Sequence, residues 1–128
     1  MKPVIYIVDD DDSVRRAMKR LIRSASMEVR TFASAREFLD FEFINQNACM
    51  IVDIKMQGMS GLELYGELRA RMYDLPVIFI TGFDTPETRN EAKNAGAAGY
   101  FRKPIDDQAL LDSIEWALTK RPTKNRAM

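Results

Sequence analysis

Three short apolar runs in this chain each stop on a polar residue. VIYIV at 4–8 is followed by Asp9, ACMIV at 48–52 by Asp53, and VIFI at 77–80 by Thr81. Within each run apolar and polar residues do not alternate, as they would in a strand with one wet face. Unbroken apolar strands are those covered on both faces. Two weaker signals complete a set of strands predicted at 4–8, 29–32, 50–53, 77–80 and 99–101.

Helical patterns separate these strands. Val14, Ala17, Met18, Leu21, Ile22 and Ala25 recur at spacings of three and four and form one apolar stripe. Asp11, Asp12 and Ser13 suit the N-terminus of that helix. Ser34 is placed to cap a second helix running through Leu39 and Phe41. Ser60 precedes a third that carries Leu64, Leu68 and Met72, and Leu110, Leu111, Ile114, Ala117 and Leu118 mark a fifth. The fourth, at residues 85–95, offers only Ala92 and Ala95 beyond Pro86 and is expected to be loosely held. Five strands alternating with helices imply an α/β fold: a doubly wound, five-stranded parallel sheet with right-handed crossovers.

Composition removes several function classes. The chain has 128 residues and no apolar stretch long enough for a membrane span. With one cysteine, Cys49, it cannot form an internal disulfide, which suits a cytoplasmic location; Cys49 itself reads as a small core residue. With no histidine there is no Ser–His or Cys–His triad and no histidine metal site. A formal net charge of zero argues against direct nucleic-acid binding by this domain.

Open parallel sheets bind ligands in the crevice past the carboxyl ends of their strands. Asp9 and Asp10, Asp53, Thr81 and Lys103 all fall there. Singly, each is explained as a turn, cap or solvated charge; their coincidence on one rim is not. Clustered carboxylates resist ionisation unless a cation joins them. Without histidine or a cysteine cluster, Mg²⁺ is the expected ion. A carboxylate there can act as a nucleophile toward phosphorus, with a cation and a hydroxyl matching charge on the phosphoryl oxygens.

The motifs IVDDDDSVR (7–15), VDIKMQGMSGLEL (52–64), VIFITG (77–82) and AGAAGYFRKP (95–104) resemble the receiver domain of two-component response regulators, with a FixJ-like flavour. The resemblance implies a flavodoxin-like fold with strand order 2-1-3-4-5, a receiver unit over residues 1–120, and a basic tail or linker at 121–128. It implies that Asp53 is the phosphoacceptor. Asp9, Asp10, Asp53 and the Lys55 backbone carbonyl would bind Mg²⁺, Thr81 and Lys103 would engage the phosphoryl group, and Thr81 and Tyr100 would form the switch. The implied partners are a sensor histidine kinase, an effector domain or downstream protein that carries the output (transcription, if an effector domain follows), and a second copy of the chain on phosphorylation. The domain would catalyse only its own phosphorylation and dephosphorylation and is otherwise no enzyme.

Two features depart from the family pattern. Gln57 stands where the family usually has proline, which removes a rigid φ constraint. Lys55 and Phe83 flank the site without offering a carboxylate or amide to orient an attacking water, so slow self-dephosphorylation is expected. Phe101 and Trp116 read as core or half-buried packing. Three other readings stay open at this stage. One is a haloacid-dehalogenase-like phosphatase using Asp9 and Asp11, another a flavodoxin-like cofactor binder, and the third a receiver used only for docking or dimerisation.

Overall fold

The strands β1 (Val4–Val8), β2 (Glu28–Phe32), β3 (Ala48–Asp53), β4 (Val77–Thr81) and β5 (Gly99–Arg102) lie side by side in the order β2-β1-β3-β4-β5. Every neighbouring pair is parallel. A computed structural model describes residues 2–119; the tail expected at residues 121–128 lies outside the described residues. The helices are α1 (Asp12–Ser24), α2 (Ala35–Leu39), α3 (Gly61–Ala70), α4 (Pro86–Asn94) and α5 (Asp107–Thr119).

The unbroken apolar runs form the doubly covered centre of the sheet. Along β1 the side chains part by twos: Val4, Tyr6 and Val8 join one core layer with Phe38, Leu64 and Leu68, while Ile5 and Ile7 join the other with Ile22, Leu110 and Ile114. Cys49 is fully buried, as expected of a core residue. β5 is only partly buried.

The loop before β3 is held by a side chain from the sheet. The Tyr6 hydroxyl donates to the Ile44 carbonyl at 3.0 Å and accepts from the Ile44 N–H at 2.7 Å. Phe41 belongs to this connection and not to α2, which stops at Leu39. It packs on Tyr6 and Phe32, so ring contacts and not helical spacing explain its apolar character.

Met72 also falls outside its expected helix, and its side chain is exposed. The Met72 N–H bonds to the Arg69 carbonyl, and the Tyr73 N–H reaches back to Leu68. This is a Schellman ending with Met72 in the left-handed position at φ 66°. Ser26 ends α1, and Gly96 ends α4, in the same way. Only the third carries the expected glycine.

Trp116, expected in or near the core, is 54% exposed. On α5 it is Leu110, Ile114 and Ala117 that face inward, and Trp116 lies off that stripe. Phe101 does pack against the core layer between the sheet, α1 and α5. The fourth helix buries only Ala92, in keeping with its sparse apolar content.

Candidate functional site

The strand order reverses between β1 and β3, and the crevice opens above their carboxyl ends. Asp9 follows β1 and is wholly buried, and Asp53 ends β3 at 6% exposure. The Asp9 backbone is fixed by its N–H bond to Phe32 and by the Arg15 guanidinium, which donates to the Asp9 carbonyl at 2.6 Å. Lys103 arrives from the end of β5 on a cis Lys103–Pro104 peptide. Its Nζ donates to Asp53 Oδ2 at 3.0 Å and lies 3.1 Å from Asp9 Oδ2. The second contact is a close ion pair without hydrogen-bond alignment, for Asp9 Oδ2 is buried with no hydrogen-bond partner.

Asp10 is exposed at the rim. One carboxylate oxygen from each of Asp9, Asp10 and Asp53 lies within 4.8 Å of the others. Asp10 Oδ2 accepts the Gln57 N–H at 3.2 Å. Proline has no such donor, so at this position a lost ring constraint is offset by a tie across the pocket mouth. Lys55 donates its N–H to Asp53 Oδ1 at 3.2 Å. Its ammonium sits 5.2 Å from the centre of the exposed Phe83 ring.

Thr81 is wholly buried and uses its hydroxyl within its own loop, accepting the Phe83 N–H at 2.9 Å and donating to the Phe83 carbonyl at 3.2 Å. Tyr100 is partly buried, and its hydroxyl donates to Asp84 Oδ1 at 2.9 Å. Asp84 is also gripped by Arg89, through Nε at 2.9 Å and a terminal nitrogen at 3.3 Å. Burial, then the hydrogen bond to Asp84 and its negative charge, push the Tyr100 hydroxyl up to about 12.

Charge in the pocket is strained. Burial raises the Asp53 carboxyl above its usual 3.8; Lys103 opposes this and the Asp9 charge adds to it. Burial works to lower Lys103, but attraction to Asp53 and Asp9 outweighs it and holds the ammonium above its usual 10.5. The Asp53 shift carries a stability cost with a definite sign. The folded state binds this proton more tightly than the unfolded chain, so stability falls as pH rises from 3.8 through the raised value, and the full cost stands above it. In metal-chelated protein, Asp53→Asn is therefore expected to melt a few degrees higher than wild type at pH near 7. That gain should shrink toward pH near 3, where both states hold the proton. Paired thermal melts at the two pH values check this; an equal gain at both would contradict it.

The structure thus gathers Asp9, Asp10, Asp53 and Lys103, and leaves Thr81 and Tyr100 each engaged elsewhere in the same rim. Arg15, Asp84 and Arg89 were not singled out from sequence. Asp84 did carry a signal, as a carboxylate three residues beyond a strand end with an arginine five residues on. Asp11 proves to be the N-cap of α1, accepting the N–H groups of Ser13 and Val14. A phosphatase built on Asp9 and Asp11 would need that carboxylate free as a general acid.

Fold and pocket define a class: a doubly wound α/β domain with three carboxylates and one ammonium at its topological switch point. The chain belongs to the response regulator receiver domain family, whose model matches residues 5–115. It is 38% identical over 114 residues to the transcriptional regulatory protein TdiR of Thauera aromatica, covering 89% of this chain and 50% of that protein. It is 35% identical over 122 residues to the transcriptional regulatory protein FixJ of Azorhizobium caulinodans, covering 95% of this chain and 58% of that protein. The structure of the response regulator StyR superposes with a TM-score of 0.87 at 42% identity, covering 99% of this chain and 64% of that one. The chain spans about half the length of the curated relatives it matches. Among the described residues no helix is long and apolar enough to cross a membrane.

Proposed function

We propose that this domain accepts a phosphoryl group on Asp53 from a sensor histidine kinase and passes the change to an effector, with residues 1–120 as the receiver unit. The observation that carries this is the Lys103 ammonium bridging Asp53 and Asp9 at 3.0 and 3.1 Å in a buried pocket. An oxygen of the ionised Asp53 carboxylate attacks phosphorus through a lone pair that its hydrogen bond from Lys55 or Lys103 leaves over. The bond from phosphorus to the donor nitrogen breaks, and the donor imidazole leaves with the electron pair. Lys103 stays within reach of the acyl phosphate formed and offsets its added charge. Thr81 leaves Phe83 to donate to a phosphoryl oxygen, and Tyr100 moves into the space released.

The pocket fits Mg²⁺. Asp9 Oδ2 is buried with no hydrogen-bond partner beside its ion pair with Lys103, and the three carboxylates offer hard oxygens close together. Asp9, Asp10, Asp53 and the Lys55 carbonyl would hold the ion, which supplies charge neutralisation when bound. The Lys55 ammonium lies over the Phe83 ring, and neither side chain presents a carboxylate or amide to orient an attacking water, which supports slow hydrolysis of the acyl phosphate. The transcriptional relatives favour transcriptional control as the output, exerted through an effector and not by nucleic-acid contact here. A cytoplasmic location and a phosphorylation-dependent homodimer fit the same reading.

Incubation with acetyl phosphate and Mg²⁺, followed by intact-mass and peptide-mapping spectrometry, tests the assignment. One phosphoryl group on Asp53, absent from Asp53→Ala, is the expected result. Absence of incorporation would leave a docking receiver, and incorporation on Asp9 would restore the phosphatase reading.

A further inference from the structure

The loop between β4 and α4 is fastened twice. Its start is tied by Thr81, whose hydroxyl both donates to and accepts from the Phe83 backbone. Its end is tied by Asp84, which takes the Tyr100 hydroxyl at 2.9 Å and the Arg89 guanidinium through two nitrogens. Three elements meet at this one carboxylate: the end of β4, the first turns of α4 and the middle of β5. The helix concerned buries only Ala92, so apolar packing does little to fix it.

We infer that Asp84 is a positioning residue, a resting-state latch that holds Tyr100 at its partly exposed position and anchors α4 through Arg89. The inference rests on the phosphoacceptor reading given above. Thr81 cannot turn to a phosphoryl oxygen while bonded to Phe83, and Tyr100 cannot move inward while bonded to Asp84. The two fastenings sit three residues apart on one short loop, so loosening one strains the other. A group bound in the resting state only must be released on activation, and its removal shifts the population toward the activated form. A phosphoryl mimic that selects the activated form then binds more tightly.

The test is a beryllofluoride titration of the full chain in Mg²⁺, read by calorimetry, for wild type, Asp84→Ala, Tyr100→Phe and the double variant. Tyr100→Phe keeps the ring and deletes only the hydroxyl that Asp84 accepts. Each single variant is expected to bind beryllofluoride about three- to tenfold more tightly than wild type, and the double variant no more tightly than the better single one. A purely structural role for Asp84 would lower the melting temperature and leave affinity unchanged or weaker. Unchanged affinity in both single variants, or gains that multiply in the double, overturn the latch while leaving Asp53 as acceptor. Failure of wild type to bind beryllofluoride at all overturns the underlying reading instead.

Discussion

Replacing Lys103 by methionine is expected to slow phosphoryl acceptance from acetyl phosphate by about 100-fold or more, the cost of losing one preorganised charge on a developing anion. Methionine keeps an unbranched stem one atom shorter and deletes the ammonium. What is lost is the cation 3.0 Å from Asp53 and 3.1 Å from Asp9. Those carboxylates then face each other, one with an oxygen that has no hydrogen-bond partner. Removing one member of a buried pair costs about 3–5 kcal/mol where solvent is absent. The Lys103 side chain is 23% exposed, so water screens part of this, and a loss of about 2 kcal/mol at neutral pH in chelated protein is the expected size.

The pH dependence identifies the cause. Without the ammonium the Asp53 carboxyl loses the partner that opposes its upward shift, so acidification neutralises the repulsion and the gap between variant and wild type closes. In wild type the Lys103 contribution is complete below its usual 10.5 and lost as pH rises through the raised folded value. Lys103→Arg should recover much of the stability but little of the rate, because a planar fork cannot stand where a compact ammonium bridged two carboxylates. Urea unfolding at neutral and acid pH, with initial rates of mass gain, separates the two effects. A Lys103→Met protein that accepts phosphate within threefold of wild type would remove Lys103 from the chemistry.

Much of this pocket could be read from the sequence because it obeys two periodicities and one rule of topology. Unbroken apolar runs ending on Asp9, Asp53 and Thr81 announce doubly covered strands, and parallel order sends their ends to one rim. What could not be read is conformational. Met72 and Ser26 occupy left-handed positions that spacing would assign to helix or loop without distinction, since neither is glycine. Trp116 has the composition of a core residue and sits off the buried stripe of α5. Asp84 and Arg89 are ordinary surface residues until the fold brings Tyr100, sixteen positions away, to the same carboxylate. The consequence of Gln57 is likewise invisible in sequence. Absence of proline reads there as looseness, and only the fold shows the freed N–H directed at Asp10.

Two glycines of α3 should answer the same substitution with opposite signs. Gly61 opens the helix beneath the acidic pocket, and a methyl group there would sit 2.4 Å from the backbone oxygen of Asp53 and 3.1 Å from the Ile54 Cα. Both neighbours are main chain and neither can retreat. Asp53 is in register with Ile80 on β4, the Ile54 N–H bonds to the Ile80 carbonyl at 2.9 Å, and the Gly61 N–H bonds to Ile54 at 2.9 Å. Gly61→Ala must therefore push α3 away from the end of β3, at a cost of about 3 kcal/mol or more. The displaced atoms carry Asp53, so phosphoryl acceptance should fall with stability. Gly66, five residues along and exposed, has nothing within 4 Å of the same added methyl. Gly66→Ala removes only backbone freedom from the unfolded chain and should gain about 0.5–1 kcal/mol with acceptance unchanged. Urea unfolding of the two variants beside wild type is decisive. Two shifts of the same sign, or a Gly61→Ala protein within 0.5 kcal/mol, roughly the scatter of a neutral surface change, would mean the helix start yields where the packing says it cannot.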